Sequence, residues 1–344
     1  MICAPWFRSL AVFHADVLRT LGHDVRIVTS TGQQGRHVEL GQADVELPPR
    51  LKSLNSWSTF LPLNRDVRRW KPDISFLDAT WDPRFLNLAR HADKMVTVMH
   101  DVTPHDDAHR RHGWKKRTES RTVRWADAIA TFSEFTSSKI SPDKVNVRIA
   151  LTSENSDHLD VKPSVSRRHF AFVGRASYYK GLDFLFEGWS AASGLLETDD
   201  ELIVLASGAL SDIPSNVPPR TQLRVSGFTD DEAGALIGSC RAVVLPYREA
   251  SQSGVQVSAF QHSTPCITTS VGALPEFQPD GHPVVEYGDV DALSTAMVRL
   301  ASDNDYRSKL HTEAGIQYER RHGREAVMRS FDELLRAVTD RGAI

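Results

Sequence analysis

The feature that most constrains this chain is a repeating rhythm of short apolar strand, turn and amphipathic helix. Strands are expected at 25–30, 74–78, 95–100 and 128–133, and again at 170–174, 202–207, 223–226, 242–246 and 266–270. Many are rich in Val, Ile and Phe and do not alternate cleanly, the pattern of a strand buried on both faces. Helical stretches lie between them at 10–21, 83–91, 109–125, 181–192, 230–240 and 290–302, and the chain after Asp303 is almost wholly helical in pattern. Strands alternating with helices argue for an α/β fold of parallel, doubly wound sheets. One such sheet needs about 150 residues, so 344 residues hold two.

The seam between the halves is visible. After a strand ending near Leu151, the segments Thr152–Asp157 and Val161–Ser166 are polar and aperiodic with one proline, and a new apolar strand starts at Phe170. The expected domains are 1–152 plus a last helix, 324–344, that crosses back, and 153–323. Lys and Arg number 41 against 44 Asp and Glu, a formal charge of -3, so a dedicated nucleic-acid binder is not expected. No run of 18 apolar residues could cross a membrane. The opening residues Met1–Trp6 lack a signal-peptide pattern. The cysteines Cys3, Cys240 and Cys266 are scattered and odd in number, which fits a cytoplasmic protein.

Four segments could carry chemistry. Phe172–Gly181 reads Phe-Val-Gly-Arg-Ala-Ser-Tyr-Tyr-Lys-Gly and joins a strand to a helix. Such turns line the carboxyl edge of an open α/β sheet, where ligands bind. Arg175 and Lys180 are spaced to reach one anionic group. The plain alternative, a solvated turn with two surface cations, stands about even. Tyr247–Val255 likewise follows a strand and opens a helix. Ser253, Gly254 and Val255 would offer backbone N–H groups to an anion, with Gly254 leaving room for close approach. Ser251 or Ser253 could equally be a plain helix cap, and the two roles are compatible. His100 lies in the third segment, Val98–Asp106, at a strand's carboxyl end. It reads as a crevice-facing group or, more commonly among proteins, as a hydrogen-bonded turn histidine. With His105, Asp101, Asp106 and Asp107 it could also suggest a metal, but no remote ligand completes a set, so no metal site is expected. The fourth, Thr269–Glu276, is a strand, a glycine turn and an acid.

In this order and spacing the segments resemble the retaining glycosyltransferases of family 4. Gly174-Arg175 and Lys180-Gly181 resemble the family's Gly-Arg…Lys-Gly turn. Glu249 to Glu276 resembles its donor-site helix and the stretch after it, here Ser263-Thr264-Pro265-Cys266 and Gly272-Ala273-Leu274-Pro275-Glu276. Gly22-His23-Asp24-Val25 is similar to its Gly-His-x-Val, and Val285–Asp289 with Ala292-Leu293 to its late Gly-Asp…Leu turn. The resemblance covers nearly the whole chain and is more specific in the second half.

The resemblance implies a GT-B fold, with two Rossmann-like domains facing a central cleft. The first would be the acceptor side and the second the nucleotide-sugar donor domain. It implies a hexosyltransferase moving sugar, with retention, from a nucleoside diphosphate sugar to a hydroxyl acceptor: a glycan, a lipid-linked group or a small molecule. Arg175 and Lys180 would hold the diphosphate with Gly174 and the start at Ser253-Gly254-Val255. His100 would contact the donor sugar. No metal or other cofactor is needed when Arg and Lys do that work.

The family usually carries two glutamates at the donor helix. Aligned on Thr264-Pro265, their places are taken by Ala250 and Ser258. Glu249 lies one residue from the first and would substitute for it as a catalytic group through a shifted turn, and Ser258 can make one bond to a ribose hydroxyl. The substitutions favour one rival, a non-catalytic GT-B scaffold; a second, an epimerase or hydrolase of nucleotide-sugars on the same fold, would need a water-activating acid, for which Glu249 or Asp101 could serve. Intact Arg175, Lys180 and Gly254 favour the transferase.

Two basic, aromatic stretches suggest a peripheral contact at the inner face of a membrane. Arg50–Trp70 holds Arg50, Lys52, Arg65, Arg68 and Arg69 with Trp57, Phe60 and Leu61. Arg110–Arg124 holds seven cations around Trp114. Basic residues beside aromatic ones suit an interfacial helix on anionic lipid. The commoner alternative puts the apolar members in the core. Pro62 is expected to interrupt any long helix in the first stretch.

Overall fold

The computed structural model describes residues 1–31, 43–48, 54–78, 82–101, 113–153, 166–197 and 199–340. Residues 154–165 of the expected linker, Arg50, Lys52, His105, Asp106, Asp107, Arg110 and Arg111 lie outside the described residues, as do the side chains of Trp114, Lys115 and Lys116. The chain divides into two compact units, Met1–Ala150 with Arg324–Ile344, and Leu151–Gly323.

The first unit runs β1 (Ile2–Cys3), α1 (Arg8–Thr20), β2 (Val28–Ser30), β3 (Val45–Leu47), α2 (Leu54–Trp70), β4 (Ile74–Asp78), α3 (Pro83–Ala89), β5 (Lys94–Met99), α4 (Gly113–Trp125), β6 (Ala128–Thr131), α5 (Glu134–Ser137) and β7 (Val145–Arg148). The second runs β8 (Arg168–Arg175), α6 (Leu182–Ser193), β9 (Leu202–Ser207), β10 (Thr221–Arg224), α7 (Asp230–Ser239), β11 (Cys240–Leu245), α8 (Gly254–Gln261), β12 (Cys266–Thr269), α9 (Leu274–Phe277), β13 (Val284–Val285), α10 (Val290–Ser302) and α11 (Asn304–Arg321). A last helix, α12 (Arg324–Thr339), belongs to the first unit.

The sheets have the orders β3-β2-β1-β4-β5-β6-β7 and β10-β9-β8-β11-β12-β13, and their described pairings are parallel. In each, the winding reverses at one place, between β1 and β4 and between β8 and β11. Such a switch point opens a crevice at the carboxyl ends of the strands. The central strands are buried end to end: all six residues of β11 and all four of β6 and β12. Arg241, inside β11, is tolerated there because its guanidinium pairs with buried Asp200 at 3.0 Å.

Local chemistry sets the helix starts. Thr229 accepts from the Glu232 N–H and Glu232 accepts from the Thr229 N–H, a reciprocal cap that opens α7. In α12, Val327, Phe331, Leu334 and Val338 recur at helical spacing and are buried. Phe331 meets Phe76 and His14 edge-on, and Ser330 accepts from the Ala150 N–H at 3.0 Å.

Several expectations are corrected. Pro62 does not interrupt its stretch, since α2 runs unbroken from Leu54 to Trp70. Proline removes one N–H, orphaning the carbonyl four residues back. Here Ser58 and Pro62 are both exposed, so water reaches that carbonyl, while Phe60, Leu63 and Val67 keep facing the core. The strand expected from Val25 begins at Val28; the Ile27 N–H is instead taken by the Asp44 carboxylate at 2.6 Å. The strand expected at 223–226 is displaced to Thr221–Arg224, because Leu202 to Leu205 of β9 pair with those residues. β3 and β13, of three and two residues, are too short for any period to reveal.

Candidate active site at two sheet edges

In the second unit, the turns after β8, β11 and β12 stand on adjacent strands. β8 ends at exposed Arg175, after Gly174 at φ 147°. A single 3-10 turn, Tyr178–Lys180, follows, and Gly181 adopts φ 65° before α6 starts. A side chain at Gly181 would put its Cβ 1.9 Å from the Pro246 carbonyl oxygen, so the two turns pack backbone to backbone. The Arg248 N–H donates to the Tyr179 carbonyl at 2.8 Å. The Arg248 guanidinium lies over the Tyr178 and Tyr287 rings and pairs with Asp183. The third turn is equally close: a Cβ at Gly272, φ 59°, would lie 1.6 Å from the Ala250 oxygen.

Between these turns α8 begins. Buried Ser253 caps it, its hydroxyl accepting from the Gln256 N–H at 3.3 Å. Helix geometry leaves the N–H groups of Gly254 and Val255 without an intrahelical carbonyl. A Cβ at exposed Gly254 would meet nothing within 4 Å, so the approach to that turn is open. The partial positive charge of the helix start points into this opening. The Lys180 ammonium lies 3.7 Å from the centroid of the Tyr247 ring, a contact worth about 0.5–2 kcal/mol. Tyr247 is fully buried, which pushes its hydroxyl well above the usual tyrosine range. Ser258 sits buried in the second turn of α8, its carbonyl accepting from His262; Glu249 is exposed.

In the first unit the corresponding edge is aromatic and acidic. His100, just beyond β5, holds the Asp78 carboxylate at the end of β4, Nε2 to Oδ1 2.6 Å. That side chain of Asp78 is 3% exposed, so the pair is largely shielded from water. The Phe7 ring stacks on the imidazole at 4.0 Å and 15°, and Phe132 lies 5.0 Å away. Behind them His14 on α1 is buried, and burial lowers its pKa to about 4, with Asp78 acting in the opposite sense. Among the described residues no group of three or more His, Cys, Asp or Glu could hold a metal ion.

The family model described as Glycosyltransferase Family 4 matches residues 12–149, and that described as Glycosyl transferases group 1 matches residues 167–303. The chain is a glycosyltransferase. No curated protein matches it. Solved structures share its two-domain, Rossmann-like GT-B fold. Sucrose-phosphate synthase from Thermosynechococcus elongatus is 15% identical, with 96% of this chain and 93% of that one covered and a TM-score of 0.71. A glycosyltransferase from Rickettsia africae is 15% identical, with 98% of each covered and a TM-score of 0.70. HepE from Anabaena, in complex with UDP and glucose, is 13% identical over 97% of this chain and 98% of that one, with a TM-score of 0.69.

In this glycosyltransferase Gly174, Arg175, Lys180, Glu249, Ser253, Gly254 and Val255 all stand on the turns at one edge of one sheet. His100 stands in the other unit. Two residues escaped the sequence reading. Asp78 left a signal, an acid closing the largely buried strand Ile-Ser-Phe-Leu-Asp. Tyr247 opens one of the quoted segments, but nothing in the sequence says that its ring lies under Lys180.

Proposed function

We propose that the enzyme transfers a hexosyl group from a nucleoside diphosphate sugar to a hydroxyl acceptor with retention of configuration. The observation that carries this reading is the open start of α8 beside Lys180. An N–H-bearing helix start and a cation there suit the diphosphate, which gathers charge as it leaves. Arg175 and Lys180 would neutralise that charge, each well-aimed donor contributing about 2.7–4 kcal/mol in the transition state. On this reading no metal is required. HepE, of the same fold, is described with UDP and glucose, which supports a nucleoside diphosphate here.

With Ala250 and Ser258 where carboxylates would stand, a front-face route asks least of the chain. The C1–O bond to the diphosphate breaks, the acceptor oxygen bonds C1 on the same face, and the acceptor proton passes to the leaving phosphate oxygen. His100, pinned by Asp78, would contact the donor sugar. The first unit would take the acceptor. Incubation with a panel of nucleotide-sugars, following nucleoside diphosphate release with and without acceptor alcohols, tests the reading. Acceptor-dependent release, unaffected by EDTA, with an anomeric proton of unchanged configuration in the product, is expected. Release that ignores every acceptor would make the protein a hydrolase instead.

A second element concerns where it works. The outer face of α2 exposes Leu54, Trp57 and Leu61, which fall on one helical stripe that continues into exposed Arg65 and Arg68. An apolar stripe running into cations suits the surface of an anionic bilayer, each cation contributing about 1 kcal/mol. On this reading the enzyme is cytoplasmic and meets the inner face of the membrane to reach a lipid-linked acceptor. Among the described residues no helix is long and apolar enough to cross a membrane. Co-sedimentation with phosphatidylglycerol vesicles at low salt, lost at high salt, is expected; no sedimentation at low salt would move the acceptor to solution.

A further inference from the structure

We infer that Tyr247 is a positioning residue of the donor site, one buried side chain that sets both the Lys180 ammonium and the start of α8. The inference rests on the reading that the diphosphate binds there. The ring face lies under the ammonium at 3.7 Å, and the hydroxyl at the far end of the same ring is 3.4 Å from the Ser253 hydroxyl that caps α8. Lys180 and Ser253 stand on different turns, after β8 and after β11, and Tyr247 touches both.

The choice of an aromatic ring matters. A carboxylate in this place would hold the ammonium by cancelling its charge. The ring quadrupole attracts the ammonium without itself cancelling the charge. The hydroxyl does comparable work at the helix. A Ser253 hydroxyl fixed by Tyr247 keeps its lone pair on the Gln256 N–H and leaves the first N–H groups of α8 toward the opening.

Tyr247 is itself immobilised from three sides, as a positioning group must be. Its carbonyl accepts from the buried Thr269 hydroxyl at 2.7 Å. The next residue's N–H is held by the Tyr179 carbonyl, and the preceding Pro246 carbonyl lies against Gly181. The ring is completely buried. A buried phenol in a wall with no ligand role would be replaceable by phenylalanine at little cost, which separates the two interpretations.

The experiment is calorimetric titration of the full chain and of Tyr247→Phe, Tyr247→Leu, Lys180→Ala and the Tyr247→Leu/Lys180→Ala double variant. The probes are UDP, GDP and ADP with their monophosphates. Tyr247→Leu should weaken the preferred diphosphate about tenfold and Tyr247→Phe about threefold, with the monophosphate changed less than about twofold. In the Lys180→Ala background the loss from Tyr247→Leu should shrink, because part of its target is already gone. Wild-type diphosphate affinity in Tyr247→Phe and Tyr247→Leu overturns the inference. So does an equal loss for mono- and diphosphates, which would mark a structural role, and a Tyr247→Leu that does not fold leaves the decision to Tyr247→Phe. If Lys180→Ala itself binds the diphosphate like wild type, the underlying donor-site reading fails, and the inference with it.

Discussion

At the carboxyl edge of the first sheet, adjacent strands deliver Phe7, Asp78, His100 and Phe132: two rings, a buried acid and the imidazole it holds. At the same edge of the second sheet stand Gly174, Arg175, Lys180, Gly181 and the Ser253-capped start of α8. Both sheets wind in one order around their switch points, so topology accounts for neither set. Glycine turns allow backbones to approach within van der Waals contact and bring N–H groups and cations together, which suits a polyanion. A shielded imidazole–carboxylate pair among rings suits a less charged, more exactingly oriented group. The crevice comes from the fold, and its chemistry comes from the residues that end the strands.

The difference can be broken from either side. Lys180→Ala or Arg175→Ala should lower turnover by on the order of a hundredfold and weaken nucleoside diphosphate binding. Unchanged rate and affinity in both variants would remove the polyanion assignment. Gly181→Ala attacks the architecture of that edge. With a Cβ 1.9 Å from the Pro246 oxygen and φ at 65°, it should cost about 3 kcal/mol in denaturant unfolding. A wild-type midpoint would mean that the two turns do not pack as described.

Acid should separate the units more gently. His14 in the first unit, and His282, His311 and His322 in the second, are pushed down from 6.5 by burial, His311 to about 3 and the other three to about 4. Above pH 6.5 these rings are neutral whether the chain is folded or not, and their stability is fully present. Between 6.5 and 4 the unfolded chain takes up protons that the folded one refuses, so stability falls as pH falls. From pH 6.5 to 5 the second unit should lose about 3 kcal/mol more than the first, two more such histidines at about 1.5 kcal/mol each, seen as earlier loss of its amide-exchange protection. Equal loss in the two would contradict that burial asymmetry. The smallest effect is expected from Asp78→Asn, which keeps the shape but weakens the hold on His100. It should lower kcat about fivefold, shift the pH–rate profile and leave diphosphate affinity alone. A change in affinity without one in kcat would place Asp78 in the wrong role.

The two edges also differed in how far they could be read beforehand. The second was written in contiguous segments, Gly174 to Gly181 and Glu249 to Val255, because one turn supplies several groups from neighbouring positions. The first is assembled from residues 7, 78, 100 and 132, one from each of four strand ends, and only folding brings them together. His100 is visible as a strand-end histidine, whereas its partner Asp78 and the rings of Phe7 and Phe132 carry no spacing that singles them out. Tyr247 was hidden for another reason, since a ring beneath an ammonium is a contact across two turns and leaves no spacing. The strand–helix rhythm gave the two parallel sheets because burial on both faces leaves a compositional trace. Pro62 misled because the rule against proline in a helix depends on where the orphaned carbonyl faces, and here it faces solvent.

The central claim is that the carboxyl edge of the second sheet holds a diphosphate, and Gly254→Ala tests it most directly. Alanine at the first position of α8 meets nothing within 4 Å, so the fold should be no less stable than wild type. A ligand that sits on the N–H groups would collide with the new methyl. The account predicts an unchanged melting temperature with nucleoside diphosphate affinity reduced about tenfold by calorimetric titration, and His100→Ala binding as tightly as wild type. Wild-type affinity in Gly254→Ala, or loss of diphosphate binding in His100→Ala, would contradict it.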